Sequence, residues 1–198
     1  MIWILGLIFL VVWGYILYVM KKAELKAWKF FWGSCGLFIL MMIFVRPIFT
    51  EPLARTVASL AGILGKWTGM YSSYFKYGVI FIDSVSGSIS LLIDFECSGI
   101  LEIMAFIALL AFYEVYSVYE RILISIIGIA YIILANAFRI FIICAVIHFN
   151  GISAYNVAHT IIGRIVFYTL SIILYFYVFT KGQIRRQRVG GFSYGVDK

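Results

Sequence analysis

Charge is scarce in this sequence of 198 residues, with Asp, Glu, Lys and Arg together at 13% against 64% hydrophobic residues and a mean hydropathy of +1.05. An ordinary soluble domain carries about twice that share of charge, so the scarcity excludes one. Proline is nearly absent, with only Pro47 and Pro52, and most of the long apolar runs are therefore free of a helix breaker. Cysteine is limited to Cys35, Cys97 and Cys144, with no C-x-x-C pair and no Cys/His cluster at metal-ligand spacing. Structural zinc and dithiol redox chemistry both lose their usual signature, and no motif calls for a metal or an organic cofactor. There is no internal repeat, no low-complexity tract and no second domain. A basic patch on a folded soluble domain is also missing, so the net charge of +7 does not point to nucleic acid.

What is present is hydrocarbon-length sequence. An α-helix crosses a ~30 Å hydrocarbon core in about 20 residues, and five apolar runs approach or exceed that length: 2–20, 30–49, 99–117, 122–149 and 160–180. The expected fold is an all-α integral membrane protein, a bundle of five transmembrane helices forming one membrane domain. The first run has no charged leader region and no small-residue cleavage site, and reads as a retained span. Ten basic residues fall on one side: Lys21, Lys22, Lys26, Lys29, Arg121, Lys181, Arg185, Arg186, Arg188 and Lys198. The opposite side has Arg55, Lys66 and Lys76, so the positive-inside bias places the N-terminus outside the plasma membrane and the tail, 181–198, in the cytoplasm.

The segment 50–98 then faces outward. Residues 53–70 space their apolar positions for a helix lying in the interface, and the β-branched runs of 78–95 read as a short hairpin around Ser86 and Gly87.

That hairpin leads into IDFECSGI, 93–100, which sets two carboxylates and a thiol against a strongly apolar run. Cys35 and Cys144 fall inside spans, where a thiol behaves as a small apolar side chain. Cys97 instead precedes the third span, flanked by Glu96 and Ser98, where a helix start favours thiolate and apolar burial opposes it. Arg139 lies 17 residues beyond Ile122, about 25 Å along the fourth span, at the level of the outer interface. Charge at that depth is costly enough to need a reason. His159 stands just before the fifth span, at the same level. Three side chains separated by 42 and 20 residues thus converge on one depth, and they meet if the last three spans are neighbours.

These residues resemble the exosortase/archaeosortase family of multi-pass membrane transpeptidases. The resemblance rests on E-C-S-G-I at Glu96–Ile100, N-A-F-R-I at Asn136–Ile140 and H-T-I-I-G-R-I-V-F at His159–Phe167, and covers about 78–179. The chain looks like a short form with fewer spans than the longer members. The resemblance implies a cysteine peptidase that cleaves, at the outer membrane face, surface proteins carrying a C-terminal tripartite signal, and transfers them to an acceptor through a thioester. Its implied catalytic set is Cys97 as nucleophile, Arg139 as the cation and His159 as acid and base, supported by Glu96, Asn136 and Ser98. Arg139 has two open roles, activating the thiol or stabilising the oxyanion. His148 rivals His159 by position but lacks the following spacing. Glu102 and Arg164 are expected to face the bundle or each other. The alternative function is a non-enzymatic scaffold or accessory subunit of a cell-surface polysaccharide or transport system, in which Cys97 merely packs and Arg139 reaches for head groups.

Overall fold

The computed structural model describes residues 2–84 and 87–184, with side chains from Gly6 onward. The chain runs α1 (Ile2–Lys22), α2 (Lys26–Phe44), α3 (Arg46–Thr68), β1 (Tyr71–Tyr74), β2 (Val79–Ser84), β3 (Gly87–Leu92), α4 (Ile100–Phe112), α5 (Val118–Asn150) and α6 (Gly163–Tyr175). Turns of wider, π-type winding flank α6 at Val157–Ile162 and Phe176–Thr180. The expected tail beyond residue 184 and the turn at Ser86 lie outside the described residues.

Among the described residues, three helices are long and apolar enough to cross a membrane: Lys26–Phe44, Val118–Asn150 and the continuous stretch Ile152–Ile184. The expected third span, 99–117, is shorter. Its helix α4 has 13 residues, about 20 Å, and ends at Tyr113, where the chain turns through residues 113–117. Ser117 then starts α5 with a capping box: its hydroxyl accepts from the Glu120 amide while the Glu120 carboxylate accepts from the Ser117 amide. Arg121 donates to the Ala111 and Tyr116 carbonyls and so closes the turn.

The expected second span, 30–49, is also redrawn, because α2 stops at Phe44 and α3 begins at Arg46 with only Val45 between them. Pro47 sits in the first turn of α3, where its missing N–H costs nothing. Helix α3 takes in the expected helix at 53–70 and starts earlier, at Arg46. Its stripe of Ala54, Val57, Ala58, Ala61, Gly62 and Gly65 is buried against β1 and α5, because small side chains let backbones approach closely.

The hairpin is present and is part of a three-stranded antiparallel sheet in the order β1-β2-β3, with Tyr71 opposite Ile82 and Ile82 opposite Ile89. Strand β1, YSSY, carries no alternating apolar pattern, and its hydroxyls bind α3 instead: Tyr71 donates to the Ala61 carbonyl and Ser73 to that of Ala58. Inward-facing Ile80, Ile82 and Leu91 join α3 and the C-terminal half of α5 in one core. A further core of Ile103, Phe106, Leu110, Ile132 and Phe167 binds α4, α5 and α6 together. The last three helices are therefore neighbours, and the Cys97 loop enters where the two cores meet.

Candidate active site

The loop from Ile93 to Gly99 is held by its own short-range bonds. Ile93 donates its amide to the Gly78 carbonyl (2.8 Å), which moors the loop to the sheet. Asp94 folds back as an Asx turn, one carboxylate oxygen accepting from the amides of Glu96 (3.1 Å) and Cys97 (3.0 Å). Ser98, fully buried, donates to the Phe95 carbonyl (2.9 Å) and accepts from the Ile100 amide (3.3 Å), partnering a donor at the start of α4 that the helix leaves over. Gly99 turns the chain into α4 at φ 80°, a left-handed conformation that a side chain would strain. A Cβ there would also lie 3.2 Å from the Asn136 amide nitrogen. That nitrogen, fully buried on α5, donates to the Cys97 carbonyl and locks the loop onto the helix. Asn136 thus supports the loop through the backbone of Cys97.

His159 arrives from the other side. It lies inside the π-type turn rather than at a helix start, in a helical stretch that begins earlier. Such local widening re-aims side chains and recurs at functional sites. Gly163 sets the distance between α5 and α6, since a Cβ there would stand 2.7 Å from Ile143. The Cys97 Sγ lies 3.2 Å from His159 Nε2, across 62 residues of sequence. Tyr155, one turn earlier, stacks on the imidazole with centroids 5.7 Å apart and planes 11° from parallel. His148 is not part of this contact. Its Nδ1 is 2.6 Å from the Asp83 carbonyl oxygen, tying the end of α5 to the sheet.

Arg139 is 6% exposed and stands one turn beyond Asn136. Its guanidinium carbon is 5.6 Å from the centre of the Phe167 ring, which gives the last residue of the His block a physical role. Its Nε finds no acceptor among the described residues, and it forms no ion pair there. A cation–π contact worth about 0.5–2 kcal/mol does not offset the several kcal/mol that burial of an unpaired charge costs. Glu102 faces the bundle as expected, near enough for its charge to feel Arg139, with Oε2 buried and unpartnered among the described residues. Arg164 does not join it: the residue is exposed. Glu96 is exposed as well, and its carboxylate acts on the thiol only through space.

Burial pushes the Cys97 thiol up to about 11. Arg139 pulls in the opposite direction, while Asp94 and Glu96 add to the rise. The sulfur therefore rests protonated beside an imidazole nitrogen, not as a standing thiolate. With the ring proton on Nδ1, Nε2 has a lone pair directed at the thiol, and the pair is built to move one proton over 3.2 Å.

Such a thiol–imidazole pair on a membrane bundle agrees with one comparison. The family model for the transmembrane exosortase (Exosortase_EpsH) matches residues 1–177. The chain belongs to the transmembrane exosortase family. The match includes α1 and α2, beyond the stretch of 78–179 in which the motifs are legible. This exosortase is accordingly a multi-pass membrane protein of a family of cysteine-type transpeptidases that process sorting signals. No curated protein and no solved structure matches it.

Two further residues of the site carry a weak signal in the sequence. Asp94 stands three residues before Cys97, the spacing of an Asx turn, and Tyr155 is related to His159 as i to i+4. Neither spacing reveals its purpose until the sulfur and the imidazole are seen to meet.

Proposed function

We propose that this exosortase cleaves C-terminal sorting signals of surface proteins at the extracytoplasmic face and passes them to an acceptor through a thioester on Cys97. The observation that carries the reading is the Cys97–His159 contact, beside a buried guanidinium that forms no ion pair among the described residues. In the first half-reaction His159 Nε2 takes the thiol proton as Sγ attacks the scissile carbonyl carbon. The carbonyl oxygen gains the charge, and Arg139, which makes no hydrogen bond to the sulfur among the described residues, is the group free to receive it. Collapse of this intermediate breaks the C–N bond, with His159 returning the proton to the leaving amine. In the second half the imidazole deprotonates the acceptor, which attacks the thioester and frees the sulfur.

The substrates in this reading are membrane-anchored proteins whose signal is a short motif, a transmembrane helix and a basic cluster. The chain works as a five-pass bundle with its N-terminus outside and its tail in the cytoplasm. Helix α4 and the residues around it then complete the third crossing.

The test replaces Cys97 with Ala and with Ser in the native host and follows the electrophoretic mobility of signal-bearing proteins. Both substitutions are expected to abolish processing while the protein still accumulates in the membrane. Processing at the wild-type rate in both would leave a scaffold as the better description. Reporter fusions after Lys29 and at Asp83 check the orientation, with cytoplasmic and external signals respectively.

A further inference from the structure

An open cavity of about 670 Å³ lies beside the catalytic loop without including Cys97 or His159. Its walls are Met42 and Ile43 from the last turn of α2, Arg46, Pro47 and Thr50 from the first turns of α3, and Phe95 from the loop itself. Helix α2 has 19 residues, about 28 Å, nearly the full thickness of a hydrocarbon core, so Arg46 stands where the membrane-crossing segment has just ended. The cavity is accordingly graded. Thioether and aliphatic side chains line it on the membrane side, and a guanidinium and a hydroxyl line it beyond. The Arg46 guanidinium lies 4.2 Å from the centre of the Phe95 ring and pairs with no carboxylate among the described residues, where the ion pairs are Lys29–Glu114 and Arg55–Glu51. The Thr50 hydroxyl donates to the Arg46 carbonyl (2.7 Å), which fixes the first turn of α3 under the guanidinium.

We propose that this cavity binds a phospholipid, with the phosphate on Arg46 and an acyl chain along Met42 and Ile43. The charge match selects the phosphate, and the position at the end of a span, with apolar wall on one side only, selects a lipid over a soluble anion. Phe95 is the connection to chemistry. It forms one wall of the cavity and lies two residues from Cys97, so a lipid seated here bears directly on the loop that carries the nucleophile. This site stands apart from the proposed peptidase reading and holds whether or not Cys97 is a nucleophile.

The experiment is native mass spectrometry of the detergent-purified full chain titrated with dioleoylphosphatidylglycerol, with dioleoylglycerol as the tail-only probe and sodium phosphate as the free anion. The wild type is expected to keep one phosphatidylglycerol in preference to dioleoylglycerol. Arg46→Gln should lower the bound fraction about fivefold and Arg46→Lys less, while Arg55→Gln, on the exposed face of the same helix, should leave it unchanged. Phe95→Leu should weaken binding with Arg46 still in place, which separates loss of the site from loss of the fold. Equal retention by Arg46→Gln, equal binding of dioleoylglycerol, or displacement of the lipid by millimolar phosphate would each overturn the proposal.

Discussion

Replacing His159 by Asn tests the proton-transfer argument most sharply. The Cys97 thiol is raised from an ordinary 9.0 to about 11, so at pH 7 only about one molecule in ten thousand carries a thiolate, roughly a hundredfold fewer than for an unperturbed group. That shift corresponds to about 2.7 kcal/mol of added ionisation cost, which the proposed transfer of the proton to Nε2 during attack would avoid. The substituted amide would keep a polar side chain near the sulfur yet accept no proton. The expected loss in processing of a purified signal-bearing substrate in proteoliposomes is about 10²- to 10⁴-fold, the usual contribution of a general base. The residual rate has a signature too. A thiol whose value lies above the working range gains thiolate as pH rises, so the His159→Asn variant should speed up about tenfold per pH unit between 7 and 9. Iodoacetamide labelling of Cys97 provides an independent reading of the same thiolate. Cys35 is exposed and must be replaced by Ala first, whereas Cys144 is fully buried. A labelling rate that levels off below pH 9, or a His159→Asn variant within threefold of wild type, would refute the reasoning.

Arg139→Gln should cut processing by about 10²–10³ through loss of the proposed oxyanion donor, and should also slow labelling of Cys97, because the arginine's charge is what pulls the thiol downward. A variant that loses processing but labels at the wild-type rate would leave only the oxyanion role. Gly99→Ala places a side chain at φ 80° and 3.2 Å from Asn136, and is expected to cost about 1–3 kcal/mol, read as a lower thermal midpoint together with reduced processing. His148→Gln, by contrast, should process substrate within about twofold of wild type, since its contact is with the sheet; a large loss there would reopen the choice of histidine.

The helical class and the membrane were legible because they depend on composition and on run length, which are local. The redrawn elements are those where local pattern underdetermines packing. LARTVASLAGILGKWTGM has the spacing of an interfacial helix, and nothing in that spacing says that its small-residue stripe will be covered by a sheet and by α5. YSSY has no strand pattern of its own and becomes an edge strand through hydroxyls that bind α3. The apolar run 99–117 is long enough to span, but its helix ends at Phe112, and beyond it Tyr113 and Tyr116 donate their hydroxyls to the Phe179 and Val178 carbonyls in the π-type turn after α6.

By itself the sequence pointed to three chemically apt side chains at one expected depth, because rise per residue and the cost of buried charge constrain depth. Depth is a single coordinate, however, and it left His148 and His159 both eligible. Only the tertiary structure decided which of them touches the sulfur, through the close approach of α5 and α6 at Gly163 and the π-type turn that swings His159 onto Cys97. It likewise gave Asn136 to the Cys97 carbonyl and left the Arg139 Nε without an acceptor among the described residues, since lateral contacts between helices depend on which faces pack together.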